Sequence, residues 1–375
     1  MVYLDYNAST PIAPEVREAM LPFLSEHYGN PSSGHWAGAP AAQAVARARG
    51  QLARLLGADP SEVVFTSGGT EANNAALRGV VEAAGAERPH IVTTRIEHPA
   101  IVEPCRYLQR HGVDVTFVGV DETGLVDPDE IAGALRPETV LVSVMHANNE
   151  VGTVQPIAEI AAVTREAGVL LHSDAAQSVG KIPTDVDDLG VDLLSVAAHK
   201  FYGPKGVGAL YVRTGTALEP FVRGAGHEGG RRAGTENVLL IVGLGAAAEL
   251  AGDLSWTIEV RSRRDWLWDR FRQQWGRRVV LNGHPERRLP NTLNVSFPGE
   301  DGRAILAAMP EVAASTGSAC HTGGTEPSPV LAAMGVPREV GAGAIRLSLG
   351  RMTTREELAA VAARLTEVVP AQVAP

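Results

Sequence analysis

Val191-Asp192-Leu193-Leu194-Ser195-Val196-Ala197-Ala198-His199-Lys200-Phe201-Tyr202-Gly203-Pro204-Lys205-Gly206-Val207-Gly208-Ala209-Leu210-Tyr211 is the stretch from which the rest of the chain is read. Its apolar run, Leu193 to Ala198, reads as a buried strand. The run ends on His199-Lys200, and a turn rich in glycine and proline follows at once. A lysine at the end of a buried strand is costly to keep charged, so it finds a partner or loses its proton. A neutral amine in a pocket is a nucleophile toward carbonyls. A lysine that lays its stem along the strand and snorkels to water fits this stretch equally well.

Upstream, Val169-Leu170-Leu171-His172-Ser173-Asp174-Ala175-Ala176-Gln177-Ser178 is a second short apolar strand, ending in an aspartate 26 residues before Lys200. Pyridoxal phosphate asks two things of a protein: a lysine for its aldehyde, and a carboxylate that keeps the pyridine nitrogen protonated so that the ring acts as an electron sink. Asp174 and Lys200 close successive apolar strands and can project from one edge of a parallel sheet, where open α/β folds bind ligands. An aspartate after a strand is also a common helix N-cap, and the two readings are compatible.

A third signal is Phe65-Thr66-Ser67-Gly68-Gly69-Thr70, a strand followed by a glycine turn that opens a helix. Such a turn presents free backbone N–H groups and the positive end of the helix dipole, and so can hold a phosphate. A tight strand-to-helix turn with no ligand has the same signature, and no Gly-Lys-Ser/Thr follows to make it a Walker-type loop.

Six motifs in order carry a family resemblance: Phe65 to Asn74, Glu97-His98-Pro99, Asn148-Asn149-Glu150-Val151-Gly152, His172 to Ser178, Ala198 to Gly206, and Thr316-Gly317-Ser318-Ala319-Cys320. Together they resemble the NifS-like cysteine desulfurases, a class V group of pyridoxal-phosphate enzymes with the aminotransferase fold. The resemblance runs from Tyr3 to Arg351, nearly the whole chain. It implies an α/β fold in which residues 16–255 form a large cofactor-binding domain with a mostly parallel, doubly wound sheet. Residues 1–15 and 256–375 are then a smaller α+β domain that carries the cysteine loop.

The resemblance also implies the site. Lys200 holds pyridoxal 5'-phosphate, Asp174 faces the ring nitrogen, and His98 stacks on the ring and helps move protons. Gly69 and Thr70 bind the phosphate, Gln177 the ring oxygen, and His199 belongs to the same cofactor set. Asn149 meets the substrate carboxylate or the ring hydroxyl, and Arg346 clamps the carboxylate, for which a planar guanidinium is suited. Thr235 reaches the phosphate of a second subunit, so a homodimer is implied. The activity implied is conversion of L-cysteine to L-alanine, leaving a persulfide on Cys320 for a sulfur-acceptor protein in iron–sulfur cluster assembly or a thiolation pathway. The long segment between Cys320 and Arg346 resembles the long-loop group of these enzymes. No metal site is expected.

Three positions depart from the family pattern. Ala197 stands where a phosphate-binding hydroxyl is usual, Gly229 where an arginine is usual, and His321-Thr322-Gly323-Gly324 replaces a serine-rich run. The first two bear on cofactor retention and the third on which acceptor docks. Two rivals remain. One is a same-fold aminotransferase, selenocysteine lyase or β-eliminating lyase that does not use Cys320. The other is a scaffold without cofactor, against which Lys200, Asp174 and His98 speak.

Composition agrees. A chain of 375 residues is too long for one compact core, so two domains are expected. No apolar run approaches membrane-spanning length, and Met1 to Asp5 shows no start of a signal peptide. With 33 basic and 43 acidic residues the net charge is −10, which speaks against a general nucleic-acid or membrane-surface binder. Two cysteines make no disulfide framework and fit a reducing cytoplasm. Cys105, among Ile101, Val102 and Leu108 at helical spacing, reads as a core thiol, whereas Cys320 sits in a loop of small residues where a thiol is accessible.

Along the chain, helices are expected over Pro40–Leu56, from the glycine turn through Arg78, and over Ile157–Ala167, Val238–Leu250 and Trp256–Trp275. The last has five arginines among its apolar positions and reads as a small-domain helix with a solvated face rather than a nucleic-acid surface. Strands are expected over Glu62–Thr66, His90–Thr94, Val115–Val118 and Val140–Met145. Asn291–Phe297 alternates like a half-buried strand, and Thr354-Arg355-Glu356-Glu357 reads as a capping box.

Overall fold

A computed structural model describes residues 1–316 and 328–369. The strands, in chain order, are β1 (Val2–Tyr3), β2 (Val63–Thr66), β3 (His90–Thr94), β4 (Asp114–Val118), β5 (Thr139–Ser143), β6 (Leu170–Asp174), β7 (Leu193–Ala197), β8 (Gly208–Val212), β9 (Val280–Asn282), β10 (Thr292–Ser296), β11 (Val312–Ala313) and β12 (Ala344–Ser348). Seven of them form the main sheet in the order β2-β8-β7-β6-β5-β3-β4. Only β8 runs against its neighbours; the other pairings are parallel.

The near-continuous apolar strands follow from burial on both faces. Phe65, Val142, Leu194 and Val196 face one apolar layer, which the helices Ala39–Leu56, Ile157–Ala167 and Val238–Ala251 complete through Leu52, Ile160 and Leu244. Val64, Ile91, Leu141 and Leu193 face the other, covered by the helices Gly69–Ala84 and Pro99–Gln109 through Leu77, Ile101 and Cys105. Helices on both faces make the doubly wound architecture that the strand–helix alternation predicts.

A second core surrounds the antiparallel sheet β12-β10-β9 and gathers Leu4, Val260, Leu267, Phe271, Val295, Ile345, Leu358 and Leu365. The helix Trp256–Trp275 packs here, and the helix Arg355–Val368 opens on Thr354 with both hydrogen bonds of the expected capping box. β1 pairs with β11, which ties the first residues of the chain to the region just before the cysteine loop.

Several boundaries differ from expectation. The helix after the glycine turn passes Arg78 and stops at Ala84, where Gly85 takes a left-handed conformation. The strand expected over Val140–Met145 ends at Ser143, because His146 N pairs with Asp174 O outside the ladder. The half-buried reading of Asn291–Phe297 is corrected: β10 is buried on both faces. Its polar residues meet other polar groups, with Asn282 Nδ2 donating to Asn294 Oδ1 at 2.7 Å and to Ser296 Oγ at 2.8 Å.

Candidate active site

The C-terminal ends of β2, β3, β5, β6 and β7 lie along one edge of the main sheet, where a parallel α/β sheet opens a crevice. β6 delivers Asp174, and the turn after β7 delivers His199 and Lys200. These strands are immediate neighbours, with Asp174 paired to Ser195. β3 leads to His98, β5 to Asn149, and β2 to the glycine turn.

That turn is a cradle. Gly68 precedes the helix Gly69–Ala84 at φ +150°, and no side chain caps the helix, so its first N–H groups remain open to an anion. A Cβ on Gly208 would lie 2.7 Å from the Gly68 carbonyl carbon, so β8 approaches the turn only because Gly208 has none. A Cβ on Gly69 would lie 3.3 Å from Ala197 Cβ, so Ala197 borders the cradle itself. Thr70 is exposed beside it and, with His98 and Asn74, lines a cleft of about 530 Å³ that runs outward to Arg78, Tyr107 and Arg110.

Lys200 is half-buried, and its Nζ donates to Asn7 O at 2.8 Å and to Ala8 O at 2.9 Å. Burial and the Arg346 charge lower its pKa to about 8, while Asp174 and Asp5 pull the other way. Its amine is therefore partly neutral near physiological pH, as attack on an aldehyde requires. Two residues on, Tyr202 adopts φ +69°, a strained conformation for a non-glycine residue. Tyr202 N donates to Thr10 Oγ1 at 2.7 Å, and Arg351 N donates to the Tyr202 hydroxyl at 2.7 Å.

Asp174 is 6% exposed. Its Oδ1 accepts from Ala176 N at 2.9 Å and its Oδ2 from Asn73 Nδ2 at 2.7 Å. No α-helix starts at Asp174, so it caps a turn rather than a helix. Asn73 is buried and its Oδ1 has no partner among the described residues. The carboxylate is thus held on both oxygens, and its charge acts on both His98 and Lys200.

His98 is the N-cap of the helix Pro99–Gln109, its Nδ1 accepting from Ala100 N at 3.1 Å. The ring reaches the surface of the cleft, yet the protein packed around it lowers its pKa; Asp174 opposes that shift and Lys200 adds to it. A neutral ring with Nδ1 engaged leaves Nε2 as the atom that can exchange a proton. His199 is held at a pKa of about 4, mainly by burial and then by Lys200, Lys205 and Lys181. Beside His98, Glu97 is fully buried and its carboxyl is raised to about 8 by burial. Its Oε1 accepts from Thr94 Oγ1 at 2.8 Å and Met145 N at 2.9 Å, and its Oε2 has no partner among the described residues.

Arg346, on β12, is 5% exposed. Nη2 donates to Asp5 Oδ1 at 2.6 Å and Nη1 to Asn149 O at 2.9 Å, while Nε has no partner among the described residues. Gln177 is buried with Nε2 2.9 Å from Asn7 O. Asn149 is half-buried, and its carbonyl also accepts from Asn7 Nδ2 at 3.1 Å. One segment, residues 5–10, therefore threads through the site beneath both cations.

The other candidates lie apart. Thr235 is exposed on the Gly-rich loop, where Gly229 takes φ +65°. That loop is fixed by Glu228, whose carboxylate grips Arg49 through two contacts of 2.7 Å and accepts from Phe65 N at 2.9 Å. It also reaches the cradle through Arg232 and Glu71, 2.8 Å apart, and Ser67 N donates to the same carboxylate. Cys105 is fully buried and its thiol is pushed up to about 12 by burial, as a core cysteine. Cys320 and His321-Thr322-Gly323-Gly324 lie outside the described residues.

The residues present fit pyridoxal phosphate. An open, uncapped helix start offers donors to a phosphate, a lysine with a lowered pKa stands beside a doubly held carboxylate, and Arg346 Nε is a buried donor without a partner among the described residues. Fold and site together define a pyridoxal-phosphate enzyme of the aminotransferase class. The family model described as "Aminotransferase class-V" matches residues 2–361. A relative named "Cysteine desulfurase IscS", from Dictyoglomus turgidum (strain DSM 6724 / Z-1310), is 49% identical over 362 residues, 95% of this chain and 91% of its own. Among solved structures, a "NIFS-LIKE PROTEIN" superposes with a TM-score of 0.92 at 38% identity, covering 98% of this chain and 99% of its own. "SspA in complex with cysteine" does so with a TM-score of 0.85 at 37% identity, covering 94% and 100%. The chain belongs to the class-V aminotransferase family and, within it, to the cysteine desulfurases, which depend on pyridoxal phosphate.

Proposed function

We propose that this chain converts L-cysteine to L-alanine by the residues brought together at the sheet edge, and that Cys320 receives the sulfur. The observation that carries the reading is Lys200 and Asp174 on adjacent strands of one crevice, with Arg346 held across from them. Bound pyridoxal phosphate supplies an aldehyde for the amino group and an electron sink for the electrons of the Cα–H bond. Lys200 Nζ, with its lowered pKa, holds the cofactor and then carries the Cα proton. Asp174, fixed by Asn73 and Ala176, keeps a negative charge where the ring nitrogen needs one. Gly69 and Thr70 take the phosphate, Gln177 the ring oxygen, and His199 closes the cofactor set.

Arg346 and Asn149 fix the substrate carboxylate, for which Arg346 Nε, without a partner among the described residues, is a donor. His98 Nε2 takes the proton of the substrate thiol. The Cys320 thiolate then bonds to the substrate sulfur as the carbon–sulfur bond breaks, the carbon is protonated, and alanine leaves with the persulfide on Cys320. An acceptor protein in iron–sulfur assembly or thiolation takes that sulfur.

A homodimer is part of the reading. Thr235 is exposed, as are Leu24, Tyr28 and Trp36, the last by 82%. Residues 16–255 are taken as the cofactor-binding domain, and 1–15 with 256–375 as the smaller one; Leu4 sharing the core of residues 260–369 supports the division. A cytoplasmic setting is supported by composition, and among the described residues no single helix is long and apolar enough to cross a membrane. Incubation with L-cysteine followed by mass analysis tests the function. One sulfur is expected on the Cys320 peptide, absent in Lys200→Ala and unchanged in Cys105→Ala. Undiminished alanine and sulfide formation by Cys320→Ala refutes the role of Cys320 and favours a lyase of the same fold.

A further inference from the structure

Lys181 is 4% exposed, and among the described residues no carboxylate contacts its amine. Nζ donates to Gln177 Oε1 at 2.8 Å and lies 3.5 Å from Asn7 Oδ1. The other end of the same amide, Gln177 Nε2, donates to Asn7 O at 2.9 Å, and that carbonyl also accepts from Lys200 Nζ at 2.8 Å. Burial, with the charges of Lys200 and Arg346, holds the Lys181 amine well below its usual pKa, and it is a donor whether or not it carries the extra proton. A methionine would fill the same space at far lower desolvation cost, so the polar head needs a reason.

The amide provides one. A Gln side chain has a donor end and an acceptor end, and its neighbours decide which way it faces. Here both neighbours agree: an amine on the oxygen side and a backbone carbonyl on the nitrogen side. A flipped amide would set its oxygen against Asn7 O.

We infer that Lys181 is a positioning residue, which fixes the Gln177 amide with its N–H groups toward the cofactor's ring oxygen and steadies the Asn7 carbonyl that holds the Lys200 amine. The sequence places it one turn beyond Gln177, at the end of the successive turns that follow Asp174. The inference rests on the proposed role of Gln177 and goes beyond it.

The test uses full-length chain freed of cofactor and titrated with pyridoxal phosphate, comparing wild type, Lys181→Met, Gln177→Leu and the double variant. The readouts are the dissociation constant and the pH at which the visible band of the loaded protein changes. Lys181→Met is expected to weaken binding about tenfold, the size of one lost oriented hydrogen bond, and to move the pH midpoint. In the Gln177→Leu background the same substitution is expected to have no further effect. The double variant removes both polar partners and so keeps the fold if Lys181→Met alone loses it. Wild-type affinity and midpoint in Lys181→Met overturn the inference, as does an undiminished effect in the Gln177→Leu background. Wild-type binding by Gln177→Leu overturns instead the role of Gln177, and the inference with it.

Discussion

Asn73 offers the sharpest check on how the site works. Its Nδ2 lies 2.7 Å from Asp174 Oδ2, and among the described residues no other side chain donates to that carboxylate. Removing it leaves Ala176 N on the other oxygen and nothing on Oδ2. A hydrogen bond to a charged group contributes about 1.5–3 kcal/mol. That stabilisation is transmitted to the protonated ring nitrogen only if Asp174 stays oriented toward it. Asn73→Ala is therefore expected to weaken pyridoxal phosphate binding about 10- to 100-fold. Asn73 is also 1% exposed, so the truncation leaves a small cavity, and Asn73→Leu separates the two effects by filling the space without restoring a donor. Titration of the cofactor-free chain, followed by visible absorbance, gives the dissociation constants. Both variants should be weakened alike. Retention within twofold of wild type by both would refute the assignment of Asp174 as a carboxylate held in place from the helix Gly69–Ala84. Recovery by Asn73→Leu alone would make packing, rather than the hydrogen bond, the contribution of Asn73.

Two further outcomes follow from the buried charges. Glu97 has its carboxyl raised from 4.5 to about 8, so the stability it contributes is complete below pH 4.5 and is lost as pH rises through 8. Between pH 5 and pH 7 the loss is roughly 2–3 kcal/mol for an isolated group. Glu97→Gln keeps an oxygen for Thr94 Oγ1 and Met145 N and removes the titration, so urea unfolding should fall more steeply with pH in wild type than in the variant; parallel profiles would refute this. Arg346→Lys cannot serve Asn149 O, Asp5 and a substrate carboxylate together, and should raise the KM for L-cysteine about 10- to 100-fold in an alanine-release assay. An unchanged KM would place the carboxylate elsewhere.

How much of this was legible in the chain depended on the range of the interaction. Lys200 and Asp174 announce themselves because each closes an apolar strand, and strand order then does the rest. The phosphate cradle is legible for the same reason, as a glycine turn between a strand and a helix. Asn73 was hidden inside a quoted motif, since nothing local distinguishes an asparagine that meets a residue 101 positions away. Thr292, Asn294 and Ser296 misled because alternation usually means one face in water, whereas here the polar face meets a buried network. Ala8 was beyond reach altogether: its contribution is a backbone carbonyl, which any residue carries.

The N-terminal segment shows why these distant contacts matter for function. An amino-acid substrate must be gripped at its amino group and at its carboxylate, so the separation of Lys200 from Arg346 has to be fixed. Those two residues stand in different sheets, on the turn after β7 and on β12. Asp5 holds Arg346, while Asn7 and Ala8 hold Lys200, so two or three residues of backbone set the spacing between the cations. Asn7 closes the arrangement: its Nδ2 donates to Thr292 Oγ1 at 2.8 Å and to Asn149 O, which also accepts from Arg346 Nη1. Any shift of one sheet against the other must break this set of contacts before it moves the guanidinium away from the amine. The geometry of the substrate is thereby written into a short piece of chain that holds no cofactor and performs no chemistry.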